Sequence, residues 1–284
     1  MPITRRAAAL GAALLPFAPS LAADLSDPLD ALEKRTGGRL GVAVLDTHTG
    51  KCLEHRAQER FAMCSTFKFL LAAAVLQRID AGKESAERIL HYQKSDLLSH
   101  SPITEKHVVE GGMAISALCQ AAVEFSDNTA ANLLLETIGG PAGWTRFART
   151  LGDSVSRLDR TELALNSAIP GDARDTTTPA AMLQDMKKVL LENTLSDVSR
   201  QELQAWMIAN TIGAHRLRAG LPKDWRAGDK TGTSFKDASN DIAIIWPPDR
   251  APILACVYFA ESGLPDEARD AAIADVGRVI GGGF

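Results

Sequence analysis

Segments with strand character stand at both ends of this chain, and a long helical stretch separates them. Residues 39–45 are apolar and β-branched enough for a strand, residues 46–50 read as a turn, and residues 51–55 return. From residue 66 to 79 the apolar spacing becomes helical, and helices dominate to about residue 209. Strands reappear at 227–233, 241–246 and 253–259, and a last helix covers 266–280. Ends that share a strand pattern around a helical middle imply one sheet built from both termini with an inserted α domain. We therefore expect a sheet domain from residues 23–62 plus 210–284, an all-α domain from 63–209, and a site in the seam, where pockets form readily. Ser26 caps a short first helix with Pro28 near its start, and Thr36, Gly37 and Gly38 stop it. Gly281 to Gly283 read as a flexible tail.

The N-terminus carries Thr4, Arg5 and Arg6, a mostly apolar run over residues 7–16, and Ser20, Leu21 and Ala22 before Ala23. That pattern is a cleavable signal over residues 1–22, which predicts a periplasmic protein; the arginine pair fits either the general secretory or the twin-arginine route. Nothing else in the chain is long and apolar enough to span a bilayer, so no membrane anchor is expected. The net charge is -4 and the basic residues are dispersed, which excludes a nucleic-acid-binding stripe. The six histidines show no metal-ligand spacing with cysteines or carboxylates, so neither a metal nor another cofactor is expected. Four cysteines, Cys52, Cys64, Cys119 and Cys256, are each flanked by apolar residues and read as buried free thiols.

Chemistry concentrates in three short segments. Ser65, Thr66, Phe67, Lys68 place a hydroxyl and an amine three residues apart at a helix start, hence on one face. A serine becomes a nucleophile when a neighbouring base takes its proton, and a lysine of lowered pKa is such a base. Ser126, Asp127, Asn128 follow an apolar helical run, and Lys230, Thr231, Gly232 open a late strand. Singly, S-x-x-K is a chance match, Lys68 an exposed helix lysine and Ser126 a helix cap; in this order the three form the S-x-x-K, S-D-N, K-T-G set of class A β-lactamases and penicillin-binding proteins. A fourth segment, Arg160, Thr161, Glu162, Leu163, Ala164, Leu165, Asn166, matches the R-x-E-L-x-L-N of the class A omega loop. The chain thus resembles the class A serine β-lactamases over essentially its whole mature length.

The resemblance implies an α/β fold of the α+β type, an antiparallel sheet flanked by helices, and assigns roles. Ser65 would be the nucleophile, with its own N–H and that of Thr233 as the oxyanion hole. Either Lys68 or Glu162 acting through a water would be the acylation base, and Glu162 would activate the deacylating water held by Asn166. Ser126 would protonate the leaving lactam nitrogen, and Asn128 would hold Lys68 and the substrate's side-chain amide. Asp127 would support its loop from behind. Lys230, Thr231 and Thr233 would bind the substrate carboxylate. Arg216 would be the second cation, since the commoner position reads Ser239. His100 falls where an aromatic residue lines the site mouth, and Ser234 would meet substrate at the strand edge. Arg160 and Asp175 would form the ion pair that closes the loop.

The same resemblance makes penicillins and cephalosporins the expected substrates and clavulanate an inhibitor. Weak carbapenem turnover is expected, because the carbapenemase bridge from Cys64 would need a cysteine at Ser234; likewise the partner position of Cys119 is Ala72. The family is usually monomeric. A D-alanyl-D-alanine peptidase lacks a positioned deacylating glutamate, and a β-lactam sensor domain is tethered by membrane helices; Glu162 with Asn166 favours the hydrolase over both.

Overall fold

The computed structural model describes residues 26–284, so the signal expected over residues 1–22 lies outside the described residues. Five strands form one antiparallel sheet: β1 (Arg39–Asp46), β2 (Cys52–His55), β3 (Arg226–Thr233), β4 (Ser239–Trp246) and β5 (Ile253–Ala260). Their spatial order is β2-β1-β5-β4-β3. The two ends of the chain join where β1 pairs with β5 along its whole length, from Arg39↔Ala260 to Asp46↔Ile253. The α/β class expected from the sequence is the one observed. β4 starts earlier than its apolar run because the polar Ser239 and Asn240 are buried ladder partners of Phe259 and Tyr258.

Both faces of the sheet are covered, which is why its central strands read as near-continuous apolar runs. Along β4 and β5 successive side chains alternate sides. Ile242, Ile244, Leu254, Cys256 and Tyr258 join the helical core, whereas Ala243, Ile245, Ala255, Val257 and Phe259 pack with Leu29, Leu32, Ile273 and Val276. The second set belongs to α1 (Ser26–Thr36) and to a C-terminal helix, Asp266–Gly283. That helix runs through Gly281 to Gly283, so the expected flexible tail is instead its last turn. Gly281 lies so close to Pro222 that a β-carbon there would meet Pro222 Cδ at 2.7 Å, a tertiary contact that composition does not show.

The middle of the chain supplies α2 (Phe67–Asp80), α3 (Ile115–Glu124), α4 (Asn128–Thr137), α5 (Gly140–Thr150), α6 (Pro179–Leu191) and α7 (Asp197–Ala209); the C-terminal helix is α8. Helix α2 is buried from Phe67 to Leu76 without a break, so it is the axis on which the others pack. Trp144 of α5 is fully buried and donates its indole N–H to the Phe67 carbonyl at 3.0 Å, pinning the first turn of α2 from outside the sheet. Cys64, Cys119 and Cys256 are buried free thiols, but Cys52 is exposed. Its neighbours misled the sequence reading: β2 is an edge strand, and alternation puts Leu53 inward and Cys52 outward. No helix among the described residues is long and apolar enough to cross a membrane.

Candidate active site

Ser65 sits in a single 3-10 turn, Cys64–Thr66, that runs directly into α2, and Lys68 lies in the first turn of that helix. The three-residue spacing works as expected: Lys68 Nζ donates to Ser65 Oγ at 3.1 Å. The same ammonium reaches the Ser126 carbonyl at 2.8 Å, Ser126 Oγ at 3.4 Å, Asn128 Oδ1 at 2.6 Å and Glu162 Oε1 at 2.9 Å. Lys68 is wholly buried, and burial depresses its pKa below the ordinary lysine value, opposed by the charge and hydrogen bond of Glu162. These oxygens are what makes a buried ammonium tolerable.

Glu162 arrives from loop 160–175. Its Oε1 accepts from Ser65 Oγ at 3.4 Å, and its Oε2 accepts from Asn166 Nδ2 at 2.5 Å. Asn166 Oδ1 is buried without a protein partner among the described residues. The loop is held from two sides. Arg160 Nε pairs with the fully buried Asp175, whose other oxygen accepts the Asp159 and Arg160 N–H groups at 2.7 and 2.9 Å. Asn132 of α4 clamps the Glu162 peptide, accepting its N–H and donating to its carbonyl, both at 2.9 Å. Asn132 was not recognised in the sequence, although it lies four residues after Asn128 and therefore on the same helical face.

Residues 126–128 form the opposite wall. Asp127, rather than Ser126, caps α4 by accepting the Ala130 N–H at 2.9 Å. Its second oxygen takes the Ile103 and Thr104 N–H groups at 3.0 and 2.9 Å, which fixes the loop carrying His100. Ser126 is thereby free for other work. Its hydroxyl stands between two lysines, 3.4 Å from Lys68 Nζ and 3.1 Å from Lys230 Nζ. Lys230 is also wholly buried, and burial, with the Lys68 charge second, brings its pKa down to about 7. Cys64, His100 and Ser126 all hold left-handed backbone at φ 45, 57 and 55. For residues with a β-carbon such conformations cost on the order of 1–3 kcal/mol each, and they cluster where geometry is imposed for function.

Strand β3 closes the site. Gly232 must be glycine, because a β-carbon there would lie 2.7 Å from the Met63 carbonyl and 3.2 Å from Ser65 N. That close approach brings the β3 backbone beside Ser65. Arg216 is buried and donates to Thr233 Oγ1 at 2.7 Å, to the Gly232 and Asn240 carbonyls at 2.8 and 2.7 Å, and to Asp270 at 2.7 Å. It backs the strand edge through Thr233. Ser234 Oγ accepts the Lys236, Asp237 and Ala238 N–H groups at 3.2, 3.1 and 2.9 Å, so its hydroxyl oxygen ties the turn that follows β3. Cys64 is no rival nucleophile, since burial pushes its thiol up to about 12.

The site opens into a cavity of about 250 Å³ whose lining includes Ser65, Ser126, Asn128, Asn166, Thr231 and Thr233. His100 lines it too, its Nε2 3.1 Å from the Phe125 carbonyl. Leu163, Ile212 and Phe235 add apolar wall that the motifs did not indicate. A larger cavity of about 380 Å³, lined by Arg39, Arg60, Arg160 and Arg174, contains no nucleophile. Among the described residues no group of three His, Cys, Asp or Glu side chains could hold a metal.

A family model described as "Beta-lactamase enzyme family" matches residues 24–283. Beta-lactamase CTX-M-97 of Escherichia coli is 47% identical over 256 residues, covering 90% of this chain and 88% of that protein. Beta-lactamase AST-1 of Nocardia asteroides is 47% identical over 257 residues, covering 90% and 83%. The solved structure of an ancestral (GNCA) class A β-lactamase superposes with TM-score 0.90 at 60% identity, covering 92% of this chain and 100% of that one.

The two clamps on loop 160–175 yield a prediction. Asp175→Ala leaves Arg160 and two backbone N–H groups without their acceptor and should cost about 3 kcal/mol, as expected for breaking a buried pair. Chemical denaturation reads the loss, and limited proteolysis should cut between residues 160 and 175. Unchanged stability together with an intact loop would show that Asn132 alone holds it.

Proposed function

The chain is a class A β-lactamase, a hydrolase of the β-lactamase enzyme family, and on that premise we propose that it opens the β-lactam ring through an ester on Ser65. The observation that supports this most directly is Lys68 Nζ and Glu162 Oε1 both within 3.4 Å of the Ser65 hydroxyl.

In acylation, Ser65 Oγ attacks the lactam carbonyl and its proton passes to Lys68 or, through a water, to Glu162. The 2.9 Å contact between those two groups lets a proton move from ammonium to carboxylate, leaving a neutral amine to receive the serine proton. The carbonyl oxygen, now an anion, takes the N–H groups of Ser65 and Thr233, a pair of donors each worth roughly 10²–10³ in rate. The lactam C–N bond breaks as Ser126 protonates the nitrogen and is reprotonated from the lysines on either side.

In deacylation, Glu162 takes a proton from a water that attacks the ester carbonyl. Asn166 positions that water: its Nδ2 fixes Glu162, and its unpartnered Oδ1 is an acceptor for the water's second hydrogen. Substrate is oriented by its carboxylate, which meets Thr231, Thr233 and Lys230, with Arg216 adding charge through Thr233, and by its side-chain amide, which meets Asn128. His100 offers its ring at the mouth. Penicillins are the primary substrates and cephalosporins are accepted; carbapenems turn over weakly and clavulanate inactivates. The protein acts as a periplasmic monomer and gives its host resistance to these drugs.

Steady-state hydrolysis of benzylpenicillin, a cephalosporin and imipenem tests this reading. Turnover of the first two, with imipenem far behind and activity lost in Ser65→Ala and after clavulanate preincubation, is the expected result. Imipenem hydrolysed as well as benzylpenicillin, or activity kept without Ser65, contradicts it.

The pKa of Lys230, about 7, makes a second prediction. A substrate carboxylate needs the ammonium form, which is lost as pH rises. Hence kcat/KM should fall on the alkaline side of about 7 in the free enzyme, and Lys230→Arg, whose charge does not titrate, should move that limb upward. An alkaline limb identical in parent and variant would assign it to another group.

A further inference from the structure

We propose that Asn240 is a positioning residue for the oxyanion hole, holding the peptide that precedes Ser65 so that the Ser65 N–H stays aimed at the reacting carbonyl oxygen. This deepens the hydrolase reading and rests on it. Asn240 is buried on β4, opposite Gly232 of β3 and Tyr258 of β5. Its Nδ2 donates to the Ala62 carbonyl at 2.9 Å and to the Met63 carbonyl at 3.1 Å. Both contacts are carbonyl oxygens, so only the NH2 end of the amide can face them. The other end, Oδ1, is buried with no partner among the described residues. An unmatched buried oxygen costs stability, so packing alone does not account for an asparagine here.

The clamped carbonyl belongs to the turn that carries Ser65. Met63 O also accepts the Thr66 N–H at 3.2 Å and the Thr66 hydroxyl at 2.8 Å. Thr66 Oγ1 lies 3.3 Å from the Tyr258 hydroxyl. Asn240 and Tyr258 are thus cross-strand neighbours that tie the two ends of residues 62–66 to the sheet. Between them Cys64 is left-handed at φ 45, a conformation that persists only while its neighbours are held. On the other side, a β-carbon on Gly232 would lie 2.7 Å from the Met63 carbonyl and 3.2 Å from Ser65 N, so that carbonyl is held between Gly232 and the Asn240 amide. Arg216 Nη1 donates to the Gly232 and Asn240 carbonyls at 2.8 and 2.7 Å, keeping the two strands in step. Without the Asn240 donors the turn can settle toward ordinary backbone, and the Ser65 N–H turns away from the oxyanion that it shares with Thr233. Oxyanion donors act at about 2.7–3.1 Å, and a displacement on the order of 1 Å can cost a hundredfold in rate.

Asn240→Leu keeps the volume and removes the donors; Asn240→Ala, read the same way, serves if circular dichroism shows that the leucine variant does not fold. In a Glu162→Gln background, which traps the benzylpenicillin ester, infrared difference spectroscopy reads the ester C=O stretch. The Asn240 variant should move that band to higher wavenumber, because a carbonyl that loses a well-aimed donor is less polarised. With Glu162 restored, acylation and deacylation should both slow by about ten- to hundredfold, since each passes through an oxyanion. A band that stays where Glu162→Gln alone puts it overturns the proposal, whether or not the rates or the melting temperature fall, and makes Asn240 a structural residue only. If Glu162→Gln itself gives no ester band, the hydrolase reading fails instead, and the two failures are told apart.

Discussion

A lysine ammonium with no exposed surface, Lys68, is the interaction on which the rest depends. Unpaired, a buried charge of that kind costs more than a domain's net stability can absorb, so its partners must all be in place when the chain folds. They come from separate parts of the chain: Ser65 just before α2, Ser126 and Asn128 at the start of α4, and Glu162 from loop 160–175. A single group thus joins the helical body to the loop and to Ser65. Burial lowers its pKa below the ordinary lysine value, and the charge and hydrogen bond of Glu162 oppose that shift. That opposition suits the proton-relay role proposed for Lys68.

The surrounding structure serves this cluster. Helix α2 is buried along its length, so Ser65 and Lys68 are set on a support that cannot tilt without opening the core. Strand β3 approaches Ser65 through Gly232, the one residue type whose lack of a β-carbon permits it. Asp127 and Asn132, neither of which faces the cavity, fix the loops that bear His100 and Glu162. The left-handed backbone at Cys64, His100 and Ser126 is strain that these contacts hold in place.

Much of this was legible in the residues. Two periodicities, of strands at both ends and helices between, were enough for the sheet and its α insertion, since burial on both faces leaves continuous apolar runs. Ser65 with Lys68 followed from helical spacing, and Glu162 with Asn166 from their motif. What escaped depends on contacts between distant segments. The last turn of α8 is helical because Gly281 packs on Pro222, and Cys52 is exposed because β2 is an edge. The hydroxyl of Ser234 accepts three N–H groups of its own turn, a bond set that shows only in the folded turn. Phe235 is exposed in that turn, whereas composition alone reads a phenylalanine as core.

The central claim is a division of labour, with Ser65 forming the ester and Glu162 releasing it. Intact-protein mass spectrometry during a benzylpenicillin time course, on the parent and on Glu162→Gln, tests it most directly. The account predicts many turnovers by the parent and a persistent one-drug adduct on the variant. A parent that itself stays acylated, or a variant that turns over like the parent or never acquires the adduct, would contradict it.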